Sequence, residues 1–196
     1  MTEIRQFFPD SINDPVWRVI GRVINDLKYY YTNFIDPEVF DADEVYPGIY
    51  VGDLWSSLNK KKLKDNGITH ILSILNGCTE NYPDDFQYKI IHINDDRWVK
   101  ISDYFEETNK FIRSALEDGG KVLIHCSRGV SRSASAATAF IMDRDGTEID
   151  DIIEKMRESR SKINPNPGFR AQLEEYKEGL KEADNEIIEK LNDEDI

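Results

Sequence analysis

The chain has 196 residues and a formal net charge of −13, which suits one compact domain with extensions and argues against binding to nucleic acids. It contains no run of about 18 apolar residues that would cross a membrane, and residues 1–6 lack the basic start and apolar core of a secretory signal peptide. The two cysteines, Cys78 and Cys126, suit a reducing compartment. We therefore expect a protein of the cytoplasm or nucleus that binds neither nucleic acid nor membrane.

An amphipathic helix is predicted in the N-terminal extension, residues 1–42. Asp14 and Pro15 suit the N-cap and the first position of a helix. This helix either packs on the domain as an added layer, or selects substrates or partners through Tyr29–Tyr31, and both interpretations stay open. Its apolar face consists of Val16, Ile20, Val23, Leu27, Tyr31 and Phe34.

The rest of the chain alternates strand and helix patterns, which predicts an α/β fold with a central, mostly parallel sheet flanked by helices. Active sites of such folds usually lie at the carboxyl ends of the strands. Strands are predicted near residues 45–51, 68–75, 87–93 and 121–125, and helices near 54–65, 102–118, 131–143, 148–159 and 167–190.

The last predicted strand leads directly into a motif with its own chemistry. The apolar run Val122–Ile124 is followed by His125, Cys126 and a short turn, and Arg132 then opens an alanine-rich segment of high helix propensity. A strand, a tight loop and a helix N-terminus together bend the backbone into an anion cradle. A cysteine in such a cradle has a stabilised thiolate and acts as a nucleophile near neutral pH. Phosphoryl transfer to sulfur is the chemistry that this loop suggests.

Each residue of the loop has a separable predicted role. Cys126 attacks phosphorus to form a cysteinyl-phosphate, and the planar guanidinium of Arg132 grips two phosphate oxygens. Gly129 permits a backbone conformation that turns successive N–H groups inward. Ser133 donates a hydrogen bond to the sulfur and improves it as a leaving group, while His125 braces the loop and helps to lower the pKa of the thiol. The predicted phosphate-binding residues are Ser127, Arg128, Gly129, Val130, Ser131 and Arg132.

The HCxxGxxRS signature at residues 125–133 resembles that of the cysteine-dependent protein phosphatases, specifically the dual-specificity branch. Residues 44–52 resemble the opening hairpin of these domains, residues 67–74 their next strand, and residues 164–173 the start of their last helix. The resemblance implies a protein-tyrosine-phosphatase-like α/β fold, with no metal and no cofactor.

This resemblance divides the chain into the N-terminal extension (1–42), a catalytic domain (43–182) and an acidic C-terminal tail (183–196). Ser131–Ser135 and Gln172–Tyr176 look most similar to the slingshot subgroup, which acts on phosphorylated cofilin. We expect a metal-independent, monomeric protein phosphatase that acts in signalling on phosphoserine, phosphothreonine and phosphotyrosine in protein substrates. Two alternatives stay open: a phosphoinositide or RNA 5′-phosphate phosphatase, and a phosphoprotein-binding module without turnover.

The general acid is predicted in the loop that follows the third predicted strand. One carboxylic acid can protonate the leaving oxygen and later activate water. The family's usual spacing, counted back from Ser102 and Phe105, leads to Asp95, with Asp96 as the alternative. Asp103 is more simply a carboxylate at the start of a helix, where the helix dipole favours it.

Other residues near the predicted site have open interpretations. Arg97 and Lys100 flank the pocket mouth and attract phosphate, or they belong to ordinary loop packing in which Trp98 covers apolar surface. Cys78 resembles the resolving cysteine of the phosphatase-and-tensin type of lipid phosphatase, or it is an inert thiol. By the resemblance, a locally positive mouth is expected from Arg128, Arg132, Arg157, Arg160 and Lys162.

Overall fold

The computed structural model describes residues 40–194, so the predicted helix of the N-terminal extension lies outside the described residues. A five-stranded sheet in the order β1-β2-β5-β3-β4 forms the centre of the described part. The first two strands pair antiparallel and all other pairs are parallel. The predicted α/β class with a mostly parallel sheet is confirmed. The strands are β1 (Ala42–Tyr46), β2 (Ile49–Gly52), β3 (His70–Ile74), β4 (Gln87–Ile91) and β5 (Val122–His125).

Six helices accompany this sheet in the described part of the chain. A single 3-10 turn, Ser102–Tyr104, leads into the third of them. None of the described helices is long and apolar enough to span a membrane. The helices are α1 (Leu54–Ser57), α2 (Lys60–Asp65), α3 (Phe105–Glu117), α4 (Arg132–Asp145), α5 (Ile149–Ser159) and α6 (Pro167–Glu194).

Two predicted elements are each divided in the structure. The segment predicted as a helix over 54–65 forms α1 and α2, because the side chain of Asn59 accepts a hydrogen bond from the amide of Lys62 at 3.0 Å and starts a new helix. The predicted strand at 45–51 is the hairpin of β1 and β2, which turns at Gly48 with a φ of 79°.

The predicted division of the chain into three parts stays a prediction. Its boundary at residue 182, between catalytic domain and tail, falls inside α6, which continues to Glu194.

The core is densest around β5 and α4, the two elements that join the predicted phosphate loop. All four residues of β5 are buried, and α4 presents buried side chains from Arg132 to Met142. A helix that is buried on nearly all sides is typical of a domain centre. Truncating Ile124 to alanine would cost about 2–5 kcal/mol of unfolding free energy. The loop between these elements is therefore held at both ends by rigid structure.

Candidate active site

The loop from Cys126 to Ser131 connects the carboxyl end of β5 to the first residue of α4, as the sequence predicts. The amide of Cys126 donates to the carbonyl of Gly52 at 3.3 Å, which ties the loop to the end of β2. Gly129 has a φ of 63°, in the left-handed region that favours glycine. The loop therefore turns through a conformation that a side chain at position 129 would strain.

The sulfur of Cys126 lies at the base of this loop, and the residue is 1 % exposed. Its Sγ is 3.3 Å from Oγ of Ser133, and the amides of Ser133 and Arg128 also hydrogen-bond to it. Burial opposes ionisation of the thiol, but the positive charge of Arg132 and these hydrogen bonds outweigh burial and lower the pKa of Cys126. The site therefore favours the thiolate, which is the nucleophilic form of cysteine.

Backbone and side-chain partners hold both terminal nitrogens of Arg132. Nη1 donates to the carbonyl of Ile93 and Nη2 to Oγ of Ser127, both at 3.1 Å. Its Nε is buried and has no hydrogen-bond partner among the described residues; the carboxylate of Asp95 is 3.6 Å away. A buried donor without a partner is costly, and an anionic ligand in the loop would satisfy it.

His125 braces the loop from the neighbouring strand. Its Nε2 is 2.7 Å from Oγ of Ser73, the residue that faces it across β3 and β5. Burial lowers the pKa of His125 to about 3, so the imidazole is neutral at physiological pH. A neutral ring adds no positive charge beside the thiol. Its predicted effect on the pKa of Cys126 can therefore act only through the position of the loop.

Asp95 and Asp96 have different surroundings, and only Asp95 faces the loop. Oδ1 of Asp95 accepts hydrogen bonds from Oγ of Ser131 at 2.7 Å and from Nδ2 of Asn166 at 2.9 Å. Asp96 turns into its own segment, where its Oδ1 accepts from the amide of Trp98 at 2.9 Å. The geometry favours Asp95 as the acid. Asp103 lies in the 3-10 turn before α3, as its helix-start interpretation requires.

The expectation of a positive mouth built from five bases is wrong for Arg160 and weakened for Lys162. Arg160 is 2 % exposed and forms ion pairs with Asp41 and Asp43. Lys162 also pairs with Asp41. Carboxylates that precede and begin β1 neutralise these bases, which the sequence did not reveal because the pairs are more than a hundred positions apart. Arg128 remains exposed on the loop.

A cleft of about 410 Å³ adjoins the loop on this side. Ser127, Arg128 and Val130 line it from the loop, and the other lining residues are Asp41, Asp53, Trp55 and Lys162. There is room here for groups beside a phosphate held in the loop.

The interpretation of Trp98 as a cover for apolar surface is wrong. Its side chain is 77 % exposed, and the guanidinium of Arg97 lies 4.5 Å from its ring centroid. The ring projects from the same loop that carries Asp95, three residues earlier. Arg97 therefore stacks on Trp98, while Lys100 is exposed.

Cys78 is buried and its thiol donates to the carbonyl of Leu75 at 3.2 Å. Burial raises the pKa of Cys78 to about 11, so this thiol is protonated at physiological pH. Both cysteines are free. These surroundings suit the inert interpretation, and a disulfide with Cys126 on oxidation stays a prediction.

Three contributors to the site have roles that the sequence analysis did not assign to them. Ser73 supports His125, Asn166 holds Asp95, and Arg160, which was expected at the pocket mouth, instead donates to the carbonyl of Gly129. A signal existed for Ser73, a polar residue between the apolar Leu72 and Ile74 of strand β3. Asn166 carried no comparable local signal. Within residues 40–194, no group of three His, Cys, Asp or Glu side chains gathers in a way that could hold a metal ion.

Comparison with known proteins identifies this arrangement. The family model described as the catalytic domain of dual specificity phosphatases matches residues 49–179. The chain belongs to the dual-specificity phosphatase family. The predicted resemblance is thereby confirmed, and membership supports protein phosphatase activity.

Two relatives illustrate how much of the chain is shared. Dual specificity protein phosphatase 1B of Arabidopsis thaliana is 36% identical over 140 residues, which cover 71% of this chain and 84% of the relative. The protein phosphatase Slingshot homolog of Xenopus laevis is 34% identical over 153 residues, which cover 74% of this chain but 22% of the relative. The chain therefore spans about a fifth of that slingshot protein.

Solved structures agree with this assignment. The human tyrosine phosphatase-like serine/threonine/tyrosine-interacting protein superposes with a TM-score of 0.68 at 35% identity, covering 70% of this chain and 96% of that one. DUSP15 superposes with a TM-score of 0.67 at 34% identity, covering 74% and 97%. The family match at residues 49–179 includes strands β2 to β5 and the phosphate loop.

Proposed function

We propose that this dual-specificity phosphatase hydrolyses phosphoserine, phosphothreonine and phosphotyrosine in proteins through a cysteinyl-phosphate intermediate, without a metal ion. The observation that carries the proposal is the lowered pKa of the Cys126 thiol at the base of the phosphate loop. Ser131, at the end of this loop, is hydrogen-bonded to the carboxylate of Asp95. Nucleophile, anion donors and acid then surround one space, as phosphoryl transfer requires.

In the first step, the thiolate of Cys126 attacks phosphorus. A P–S bond forms while the P–O bond to the substrate side chain breaks. Arg132 and the loop amides hold the charge on the phosphoryl oxygens. The protonated carboxyl of Asp95 gives its proton to the leaving oxygen, so the alcohol or phenol departs neutral.

In the second step, water attacks the phosphorus of the cysteinyl-phosphate. The carboxylate of Asp95 takes a proton from this water, the P–S bond breaks, and inorganic phosphate leaves. The hydrogen bond between Ser133 and the sulfur, at 3.3 Å, stabilises the departing thiolate. Asp95 therefore serves both halves of the reaction, and the hydroxyl of Ser133 serves the second.

Cellular setting and assembly are part of the same proposal. Two free cysteines and a net charge of −13 suit a monomer of the cytoplasm or nucleus with a role in signalling. Cell fractionation would test the location, and light scattering of the purified full chain would test whether it is a monomer.

A phosphoprotein-binding role is the second candidate, and the observation in its favour is the similarity to a phosphatase-like interacting protein. The presence of both Cys126 and Arg132 favours turnover instead. Arg128, exposed on the loop, keeps a phosphoinositide or RNA 5′-phosphate substrate as a third outcome of the test.

The deciding experiment is hydrolysis of para-nitrophenyl phosphate in EDTA from about pH 5 to 8, with Cys126→Ser as control. Cysteine-dependent turnover that vanadate blocks supports the proposed mechanism. Phosphopeptides, phosphoinositides and 5′-phosphorylated RNA, assayed side by side, then identify the substrate class. Phosphopeptide affinity without phosphate release would support the binding role and contradict the enzyme.

A further inference from the structure

Arg160 contacts the backbone of the phosphate loop. It caps the carboxyl end of α5 and is the largest fully buried side chain of the described residues. Its Nε donates to the carbonyl of Gly129 at 2.9 Å, and its Nη2 to the carbonyl of Arg128 at 3.5 Å. The guanidinium therefore ties down two consecutive carbonyl groups of the loop.

We propose that Arg160 is a positioning residue that turns the amides of Gly129 and Val130 toward the bound phosphoryl group. In a planar trans peptide the C=O and N–H groups point in opposite directions. The described residues contain no cis peptide bond. Arg160 binds the carbonyl groups of Arg128 and Gly129 and so directs them away from the phosphoryl site. The N–H groups of the same two peptide units, those of Gly129 and Val130, therefore point toward that site.

The fit of Gly129 against Arg160 supports this role. A Cβ at position 129 would collide with Nη2 of Arg160 and would lie 2.6 Å from the carbonyl group of Gly52. Glycine is therefore needed both for its positive φ and for the space that the guanidinium fills. The next carbonyl, that of Val130, is held in the same manner by the amide of Asn164 at 2.8 Å.

The charge of Arg160 is balanced by acids that lie before the matched family region of residues 49–179. Nη1 is 3.0 Å from Oδ1 of Asp41 and 2.6 Å from Oδ2 of Asp43. Asp41 is itself anchored, because its carbonyl accepts from the amide of Asp53 and from Oγ of Ser56, both at 3.1 Å. A buried cation needs such partners to be tolerated. The geometry of the loop therefore depends on a segment outside the family match.

The inference rests on the phosphate loop of the proposed function but does not require turnover, so its test measures ligand binding. The probe is orthovanadate, added to Arg160→Met, Arg160→Lys and Asp43→Asn. In Arg160→Met the amides of Gly129 and Val130 should no longer be aligned with the charged ligand. Vanadate binding should therefore weaken about ten- to a hundredfold. Arg160→Lys should be intermediate, since it keeps the charge but loses the planar fork. Asp43→Asn should show a smaller loss.

A second readout separates positioning from general loosening of the loop. The amides that face the sulfur belong to Arg128 and Ser133 and are not in the two peptide units held by Arg160. The pH profile of Cys126 alkylation by iodoacetate, measured in a Cys78→Ser background, should therefore keep its wild-type midpoint. If the midpoint moves upward in step with the loss of vanadate affinity, the positioning role is wrong.

Lys177→Met is the matched control, because Lys177 is a buried cation paired with Glu148 away from the loop. It should lower the thermal midpoint yet bind vanadate as the wild type does. Wild-type vanadate affinity in a folded Arg160→Met overturns the inference. If Arg160→Met does not fold, wild-type affinity in both Arg160→Lys and Asp43→Asn overturns it. A wild type that binds vanadate without releasing phosphate contradicts the proposed function alone.

Discussion

Oδ1 of Asp95 accepts a hydrogen bond from Oγ of Ser131 at 2.7 Å, although the two residues lie 36 positions apart. Ser131 closes the phosphate loop, and its hydroxyl also accepts from the amide of Asn166 at 3.1 Å. The loop that carries the acid is thereby fastened to the loop that holds the phosphate. Preorganisation of this kind places the acid before substrate arrives.

This contact predicts unequal effects for the two neighbouring aspartates. Asp95→Asn should lower kcat by about 10²- to 10⁴-fold on an alkyl phosphate, whose leaving group needs a proton. Asp96→Asn is the matched control and should stay near the wild type, because Asp96 bonds to the amide of Trp98 instead. A larger loss of kcat in Asp96→Asn would reverse the assignment of the acid.

Replacing the sulfur nucleophile should abolish turnover but leave the hydrogen-bond donors that bind phosphate in the loop unchanged. Cys126→Ser should release no phosphate from para-nitrophenyl phosphate and should still bind inorganic phosphate, measured by calorimetry. Cys78→Ser should keep wild-type kcat, because the pKa of Cys78 is raised to about 11 and its thiol stays protonated. Residual turnover in Cys126→Ser would remove the nucleophile from the proposed mechanism.

Ser133→Ala should slow the second step more than the first. Without the hydroxyl at 3.3 Å, the thiolate is a poorer leaving group and the cysteinyl-phosphate accumulates. Stopped-flow assays should then show a burst of p-nitrophenol equal to the enzyme concentration. Ser135→Ala is the control, since its hydroxyl donates to the carbonyl of Ser131 and not to the sulfur. The absence of a burst, with slow single-phase turnover, would contradict this role.

The buried imidazole of His125 should make folding stability depend on pH. Its pKa is about 3 in the folded state against an ordinary value of 6.5, so below about pH 6.5 the unfolded state binds a proton that the folded state does not. Unfolding free energy should therefore fall as pH decreases, by about 2 kcal/mol between pH 7 and pH 5 from this residue.

Urea unfolding of His125→Asn and His92→Asn tests the source of that slope. His92 is exposed, so its variant should keep the wild-type pH dependence, whereas His125→Asn should flatten it. Equal slopes in His125→Asn and the wild type would assign the pH dependence to other groups.

Trp98 should matter for protein substrates and not for small ones. An exposed aromatic ring beside the acid is placed to contact polypeptide next to the phosphorylated residue, and Trp is enriched among the minority of interface residues whose truncation costs more than about 1 kcal/mol in affinity. Trp98→Ala should lower kcat/KM for a phosphopeptide about tenfold and leave para-nitrophenyl phosphate unchanged. Trp98→Phe should restore most of the loss. Equal losses on both substrates would indicate a role in placing Asp95.

The sequence by itself determined the parts of this protein whose causes are local. An apolar strand, a cysteine, Gly129 and an alanine-rich helix lie within a few residues of one another, and their propensities suffice to predict the loop and its chemistry. The alternation of strands and helices likewise predicted the α/β class. Asp95 was favoured by the spacing of the family that the motif resembles.

Only the tertiary structure decided which distant side chains meet. Asp95 and Asp96 are neighbours in sequence, yet Asp95 bonds to Ser131 of the phosphate loop, whereas Asp96 bonds within its own loop. Arg160 was expected at the pocket mouth, yet it is buried against Asp41, 119 positions away. Secondary-structure propensity acts over a few neighbouring residues. Contacts such as that between Arg160 and Asp41 depend instead on how strands and helices pack, so no local stretch of sequence determines them.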